Sequence, residues 1–148
     1  MRAGKVNQLT ESFVVKSKAR LPGADDFSKA LGQVTWLMTL SKAHRDKSVG
    51  WIEAHVSAPL MFRQVRVFLR DKQPVAAIIW AYASNEVKAR LEAGDHQMAL
   101  ADWRSGEEVV IVECISPLMN GQPFIDNFMA DVRAAQQRTV GVDGSEPK

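Results

Sequence analysis

The chain has 148 residues, of which 46% are hydrophobic and 24% charged, a balance typical of one soluble globular domain. Its single cysteine, Cys114, excludes an intramolecular disulfide, and no Cys/His set has the spacing of a zinc site, so we expect a reducing, cytoplasmic location and no metal. The net charge of +2 is too small to indicate a nucleic-acid partner, and no apolar run has the length of a signal-peptide core or a membrane span.

The chain divides into three parts. Residues 1–24 lack periodic apolar spacing and end in Leu-Pro-Gly, which predicts a mobile N-terminal extension. Residues 25–137 contain all the periodic segments and are expected to form one folded domain. Residues 138–148 are polar and are expected to form a frayed C-terminal tail.

Two helices are predicted at the start of the domain. Asp25 or Asp26 is expected to cap a helix that runs to about Ser41, because apolar residues recur there at helical spacing. This helix delivers His44 just beyond its C-terminal end. A second, short helix is expected to end before Pro59, since the residue before a proline avoids the helical region.

The period then changes from helix to strand. Residues 65–70 alternate between apolar and mainly basic side chains, as in a half-buried strand, and residues 71–73 (Asp-Lys-Gln) are expected to form a hairpin turn. The mostly apolar residues 74–83 predict a strand with both faces covered.

The second half of the domain is predicted as helix, strand, helix. Ser84 is expected to cap a helix, and Gly94 to occupy its left-handed C-terminal position. Residues 109–115 (VVIVECI) are rich in β-branched side chains and predict a buried central strand. Residues 123–137 are amphipathic and predict a helix that packs on the sheet.

No glycine-rich phosphate loop, nucleophile elbow or zinc-protease motif is present, so the histidines are the candidate catalytic residues. His55 lies among apolar neighbours, which indicates a packing or surface residue, and His96 lies in a polar loop, which indicates solvation. His44 follows a rigid helix, where loops often carry reactive groups. Glu113 interrupts an apolar strand, where a carboxylate is expected to be paired, to have a shifted pKa or to face a cleft, or else to point outward on a one-sided sheet. Brought together, a histidine and a carboxylate form a base and its orienting group.

Four blocks follow one another in the chain: LGQVTWLMTLSKAHR, PVAAIIWA, the tryptophan-containing ADWRSGE, and a strand with an acidic residue that ends in Ser-Pro. Their order and spacing resemble the hemolysin C family of RTX toxin-activating lysine acyltransferases over residues 31–132. The Leu-Gly-x-Val-x-Trp-Leu block, with His44 eight residues after its tryptophan, and the Asp-Trp-x-Ser-Gly block are specific in combination.

The resemblance implies an α/β (α+β) fold of the GNAT acetyltransferase type, in which a mixed, largely antiparallel sheet is flanked by helices in a single domain. It implies transfer of a fatty acyl group from acyl-acyl carrier protein (acyl-ACP) to internal lysines of an RTX protoxin, by a homodimer without a bound cofactor. The family's essential histidine and acid fall on His44 and Glu113, with glutamate where the family usually has aspartate. His44 is then a general base, or a nucleophile that forms an acyl-imidazole.

Further residues are weaker substrate-binding candidates. Ser41 falls where the family has a serine that helps to position substrate, although a polar residue is also ordinary at a helix end. Three tryptophans, Trp36, Trp80 and Trp103, are candidates to line an acyl groove, although large aromatic side chains are more often core residues. A basic cluster formed by Arg63, Arg66 and Arg70 is a candidate to dock the acidic carrier protein, or is a solvated face.

Two other functions fit the same sequence. The first is a GNAT-like N-acyltransferase that uses an acyl-coenzyme A donor, which donor preference would distinguish. The second is a catalytically degenerate adaptor that binds the protoxin or the carrier protein, which binding without turnover would identify.

Overall fold

The first helix, α1, spans Ala24–Leu40 in the computed structural model, which describes residues 23–144. The other elements follow as α2 Val49–Ile52, a π-helical turn at Glu53–Ser57, α3 Ala58–Met61, β1 Val65–Arg70, β2 Gln73–Ala83, α4 Asn85–Glu92, a 3-10 turn at Leu100–Trp103, β3 Glu108–Ile115 and α5 Gln122–Gly144. Together they form one mixed α/β domain, as predicted. The predicted N-terminal extension lies outside the described residues apart from its last two, and so does the end of the predicted tail.

The three strands form an antiparallel sheet in the order β1-β2-β3. A hairpin turn joins β1 to β2 at Asp71 and Lys72, both with positive φ, a geometry that matches the twist of the two strands. The prediction that residues 109–115 form a central strand is wrong, because β2 is central and β3 lies at an edge of the described sheet. The apolar run was misleading because a helix covers each face of the sheet, so that an edge strand is apolar on both sides as well.

Each face of the sheet has its own hydrophobic core. On one face, which we call the α1 face, α1 and the π-helical turn pack on the strands through residues such as Val34 and Ile79, both fully buried. On the opposite α5 face, Phe124 and Phe128 of α5 pack against Trp80 and its neighbours. Burial of a side chain of this size contributes about 1.5–3 kcal/mol. The candidate site lies on the α1 face.

α1 begins without a side-chain cap. Gly23 occupies the N-cap position, which corrects the prediction that Asp25 or Asp26 would do so. Both aspartates lie in the first turn instead, where their charges interact favourably with the helix dipole. The C-terminal end agrees with the prediction, since Ser41 is the C-cap and His44 lies just beyond it.

The helix that was predicted to end before Pro59 continues through it. In an α-helix, the proline ring clashes with the carbonyl four residues back and offers no N–H to it. Here the preceding π-helical turn is wider, since the N–H of Ala58 bonds to the carbonyl of Glu53, five residues back. α3 can therefore carry Pro59 in its first turn.

The caps of α4 are as predicted. The Ser84 hydroxyl accepts a hydrogen bond from the N–H of Val87, and Gly94, just after the helix, has a φ of 96°. α5 starts at Gln122 and continues to Gly144, beyond the predicted helix end at Gln137 and into the predicted tail.

Candidate active site

A β-bulge in β3 sets the direction of Glu113. In the β2–β3 ladder, Glu113 pairs with Ile79 and Ile111 pairs with Trp80, so that Val112 has no partner. Successive residues of a regular strand point to opposite faces, but the extra residue places both Val112 and Glu113 on the α1 face. Glu113 therefore points toward the end of α1.

The turn after α1 carries the partner of Glu113. The backbone N–H groups of His44 and Arg45 both donate to the carbonyl of Ser41, which folds the chain back and leaves His44 only 8% exposed. Its Nε2 lies 2.8 Å from Oε1 of Glu113, and its Nδ1 lies 2.7 Å from Oγ of Ser41. The structure thus joins three of the predicted site residues in one chain of hydrogen bonds.

The positions of the protons in this chain follow from the carboxylate. An ionised carboxylate can only accept, so Nε2 of His44 carries a hydrogen and donates it to Glu113. Nδ1 then holds the lone pair and accepts from the Ser41 hydroxyl. The basic nitrogen of the neutral ring is therefore Nδ1, and the half-buried Ser41 hydroxyl is hydrogen bonded to it.

The neighbouring Cys114 takes no part in this chain of hydrogen bonds. Burial raises the pKa of its thiol, and the charge of Glu113 raises the pKa further. A protonated thiol is a weak nucleophile, and Cys114 packs on the α5 face, away from His44. It is not a candidate for covalent catalysis.

A cavity of about 480 Å³ opens beside Glu113, within the range of small-ligand pockets. Its wall includes Lys47, Trp51, His55 and His96 as well as Glu113. The second carboxylate oxygen of Glu113, Oε2, lies 4.0 Å from Nδ1 of His96. The carboxylate that orients His44 therefore also borders a space large enough for a substrate side chain.

Trp51 forms one wall of this cavity. Its indole stacks on the His55 ring, with 4.5 Å between the ring centroids, and lies 5.9 Å from the His44 ring. Nζ of Lys47 lies 5.2 Å from the indole centroid, close enough for a cation–π contact. His55 is 5% exposed, and its Nε2 bonds to the carbonyl of His96 at 2.8 Å, which agrees with its interpretation as a packing residue.

Sequence reasoning did not connect His96, Trp51 or Lys47 with the site. A polar loop without a motif predicts a solvated His96, but hydrogen bonds to Val112 of β3 and to His55 hold it near Glu113. The one available signal was the scarcity of histidine, with three in the whole chain.

The Asp-Trp-x-Ser-Gly block is structural. Asp102 bonds to Arg90 of α4 at 2.8 Å, and the fully buried Trp103 donates from Nε1 to a carbonyl of the π-helical turn at 3.2 Å. At Gly106, a Cβ atom would lie 2.4 Å from the carbonyl oxygen of Ala83, so only glycine fits against the end of β2. The block holds α4, β2 and the π-helical turn together.

The other candidates lie apart from His44. Trp80 is 3% exposed in the core of the α5 face, so it does not line the cavity. Arg66 is held at 2.8 Å by Asp131 of α5, Arg70 is exposed at the end of β1, and Arg63 has a positive φ just after α3. The structure does not bring these side chains together with Ser41, His44 and Glu113.

Within residues 23–144, no cluster of three or more His, Cys, Asp or Glu side chains is suited to hold a metal ion. None of the helices in that part of the chain combines the length and the apolar character that crossing a membrane requires.

A model of the RTX toxin acyltransferase family matches residues 24–141, which include the whole site. The RTX-II toxin-activating lysine-acyltransferase ApxIIC of Actinobacillus pleuropneumoniae is 30% identical over 93 residues, which make up 63% of this chain and 58% of that relative. The protein-lysine myristoyltransferase HlyC of Escherichia coli is 30% identical over 119 residues, 75% of this chain and 70% of that relative. The chain thus spans less than two thirds of the length of ApxIIC.

Proposed function

This chain belongs to the RTX toxin acyltransferase family, and from that premise we propose that it is a protein-lysine acyltransferase. In the proposed reaction, a fatty acyl group moves from the thioester of acyl-ACP to the ε-amine of an internal lysine of an RTX protoxin. The observation that carries the proposal is the hydrogen-bonded chain of Ser41, His44 and Glu113, because it joins a base to an orienting carboxylate.

The proposed steps use the contacts already present. The neutral amine attacks the thioester carbonyl, and the proton that it loses passes through the Ser41 hydroxyl to Nδ1 of His44. Glu113, 2.8 Å from Nε2, stabilises the imidazolium that forms. When the C–S bond breaks, the imidazolium returns the proton by the same path to the departing thiolate.

The alternative route, through an acyl-imidazole, is less well supported by these contacts. Both ring nitrogens of His44 are hydrogen bonded, and the ring is 8% exposed. Nucleophilic attack by Nδ1 requires Ser41 to move away and the acyl group to reach a nearly buried ring. We therefore propose that His44 acts as a base through Ser41.

The length of Glu113 suits its place on the bulge. The resemblance implies an aspartate here, and glutamate is one methylene longer, yet its Oε1 lies at hydrogen-bond distance from His44. This contact supports an active enzyme over a degenerate adaptor.

Acyl-ACP is the proposed donor because the sequence lacks the glycine-rich pyrophosphate loop of coenzyme A-dependent acetyltransferases. Arg63 and Arg70 are the proposed contacts for the acidic carrier protein, so activity should fall as ionic strength rises. On the ground of the resemblance, we also propose a homodimer that acts in the cytoplasm.

The test is intact-mass analysis of a protoxin fragment that has been incubated with the protein and either acyl-ACP or acyl-coenzyme A. We expect a mass gain of one acyl group with acyl-ACP, and none with the His44→Ala variant. Glu113→Gln should be strongly impaired, whereas Glu86→Gln, the same change at an exposed position of α4, should act like the native protein. Binding of the fragment without any mass gain contradicts the proposal and favours the adaptor.

A further inference from the structure

His96 differs from His44 in having one ring nitrogen without a hydrogen bond. Its Nδ1 lies 3.2 Å from the carbonyl oxygen of Val112, which can only accept, so the hydrogen of the neutral ring is on Nδ1. Nε2 then holds the lone pair, and within residues 23–144 no hydrogen bond engages it. The side chain is 44% exposed and borders the cavity. A fixed tautomer with an accessible lone pair is the arrangement that a general base needs.

A hydrogen bond holds the loop that carries His96. The backbone carbonyl of His96 accepts it from Nε2 of His55 at 2.8 Å, and the buried His55 ring is itself stacked on Trp51. Oε2 of Glu113 lies 4.0 Å from Nδ1 of His96, while Oε1 binds His44. One carboxylate thus lies between the two imidazole rings.

The nitrogen of the acceptor lysine loses two protons in the proposed reaction. A lysine side chain at neutral pH is an ammonium ion, with a reference pKa of about 10.4. It loses one proton before it can attack and a second one when the amide forms. The thiol that leaves takes up one of the two, so one proton is released per turnover. In the proposed steps His44 receives the second proton, and the first proton goes either to water or to a second basic group.

We propose that His96 is that group: in the cavity beside Glu113, its Nε2 accepts a proton from the ammonium of the acceptor lysine and passes it to solvent. The free amine then attacks the thioester, the C–N bond forms, the C–S bond breaks, and the carrier thiol departs with the proton relayed by Ser41 and His44. The position of Lys47, with Nζ 5.2 Å from the Trp51 centroid, shows that this wall of the cavity accommodates an ammonium group. The inference rests on the proposed acyltransferase function.

The test compares His96→Asn with His96→Ala. The amide of asparagine can keep the hydrogen bond to the Val112 carbonyl but has no basic nitrogen, so it separates the basicity of His96 from its structural role. We expect kcat/KM at pH 7 to fall about 100-fold in both variants, within the range for loss of a general base. The ratio of native to variant kcat/KM should fall roughly tenfold per pH unit above 7, because the fraction of the acceptor lysine present as free amine rises by that factor below the pKa of the lysine.

The charged and titratable groups around His96 are Glu113 on β3, Lys47 and His55, which line the same cavity, and His44, which is hydrogen bonded to Glu113. All are unchanged in both variants, so a difference in pH profile reports on His96 itself. The second measurement uses an acceptor peptide with aminoethylcysteine in place of lysine. The amine of aminoethylcysteine is less basic, so the difference in kcat/KM between the native protein and the variants at pH 7 should be smaller with this peptide.

The outcomes separate this inference from the function on which it rests. A native pH profile in His96→Asn, or a deficit that is the same at every pH, overturns the role of His96 and leaves the acyltransferase proposal intact. Absence of acyl transfer by the native protein from either donor overturns both.

Discussion

Replacing Glu113 by aspartate tests whether the β-bulge and the extra methylene together create the contact with His44. Oε1 of Glu113 lies 2.8 Å from Nε2 of His44. Aspartate withdraws the carboxylate by about one C–C bond, roughly 1.5 Å, which takes it beyond hydrogen-bond range. A hydrogen bond to a charged group contributes about 1.5–3 kcal/mol, so the acylation rate should fall about 10-fold to 150-fold.

The assay is the initial rate of acylation of a protoxin fragment, followed by intact mass at acceptor concentrations below KM. Glu113→Gln keeps the length of the side chain and removes its charge, so it should also be slow, because the imidazolium loses its counter-charge. Glu86→Gln serves as the matched control at an exposed site. Thermal unfolding, followed by circular dichroism, checks that each variant is folded.

A native rate for Glu113→Asp, with an unchanged melting temperature, would refute this reasoning, since it would mean that the carboxylate need not touch His44. Equal losses in Glu113→Gln and Glu86→Gln would also refute it, because the effect would then depend on overall charge rather than on the site.

Three further predictions concern neighbouring features. Gly106→Ala should destabilise the fold by about 3 kcal/mol in urea denaturation, because its Cβ would meet the backbone of β2, and a native midpoint would contradict that packing. Ser41→Ala should lower kcat and leave the KM for the acceptor nearly unchanged if the hydroxyl relays the proton to His44. A change in KM alone would indicate that Ser41 only positions the substrate. Iodoacetamide should label Cys114 more slowly in the folded protein than in urea, since burial and then Glu113 raise its pKa and lower the thiolate fraction at a given pH. Glu113→Gln removes the charge that raises the pKa of Cys114 and should speed the labelling. An unchanged labelling rate would contradict this effect of Glu113.

The sequence predicted the elements but not the direction of the decisive side chain. The strand at residues 65–70, the Ser84 cap and the Gly94 C-terminal position all depend on local preferences, and the structure has each of them. The strand is not half-buried as predicted, because Phe68 is buried on the α5 face. The face to which Glu113 points depends on a bulge in the pairing with β2, which is a property of two strands. Strict alternation would have put Val112 and Glu113 on opposite faces.

Other parts of the site could not be predicted from the sequence for a similar reason. Pro59 is a reliable signal for the end of an α-helix, but the π-helical turn before it removes the clash on which that signal depends. His96 lies near Glu113 because its loop is hydrogen bonded both to His55, 41 residues earlier in the chain, and to Val112 of β3. A contact between distant loops leaves no periodic pattern in the sequence.

The blocks that match the family have different roles, so membership of the family does not by itself establish activity. The Asp-Trp-x-Ser-Gly block is among the most specific marks of the resemblance, yet its side chains brace α4, β2 and the π-helical turn and touch neither His44 nor Glu113. A chain that kept this block but lost His44 or Glu113 is expected to retain the fold and to lack the proposed chemistry. The 2.7 Å and 2.8 Å contacts of His44 therefore carry the proposed catalytic role, and substitutions there, rather than in the block, should separate activity from folding.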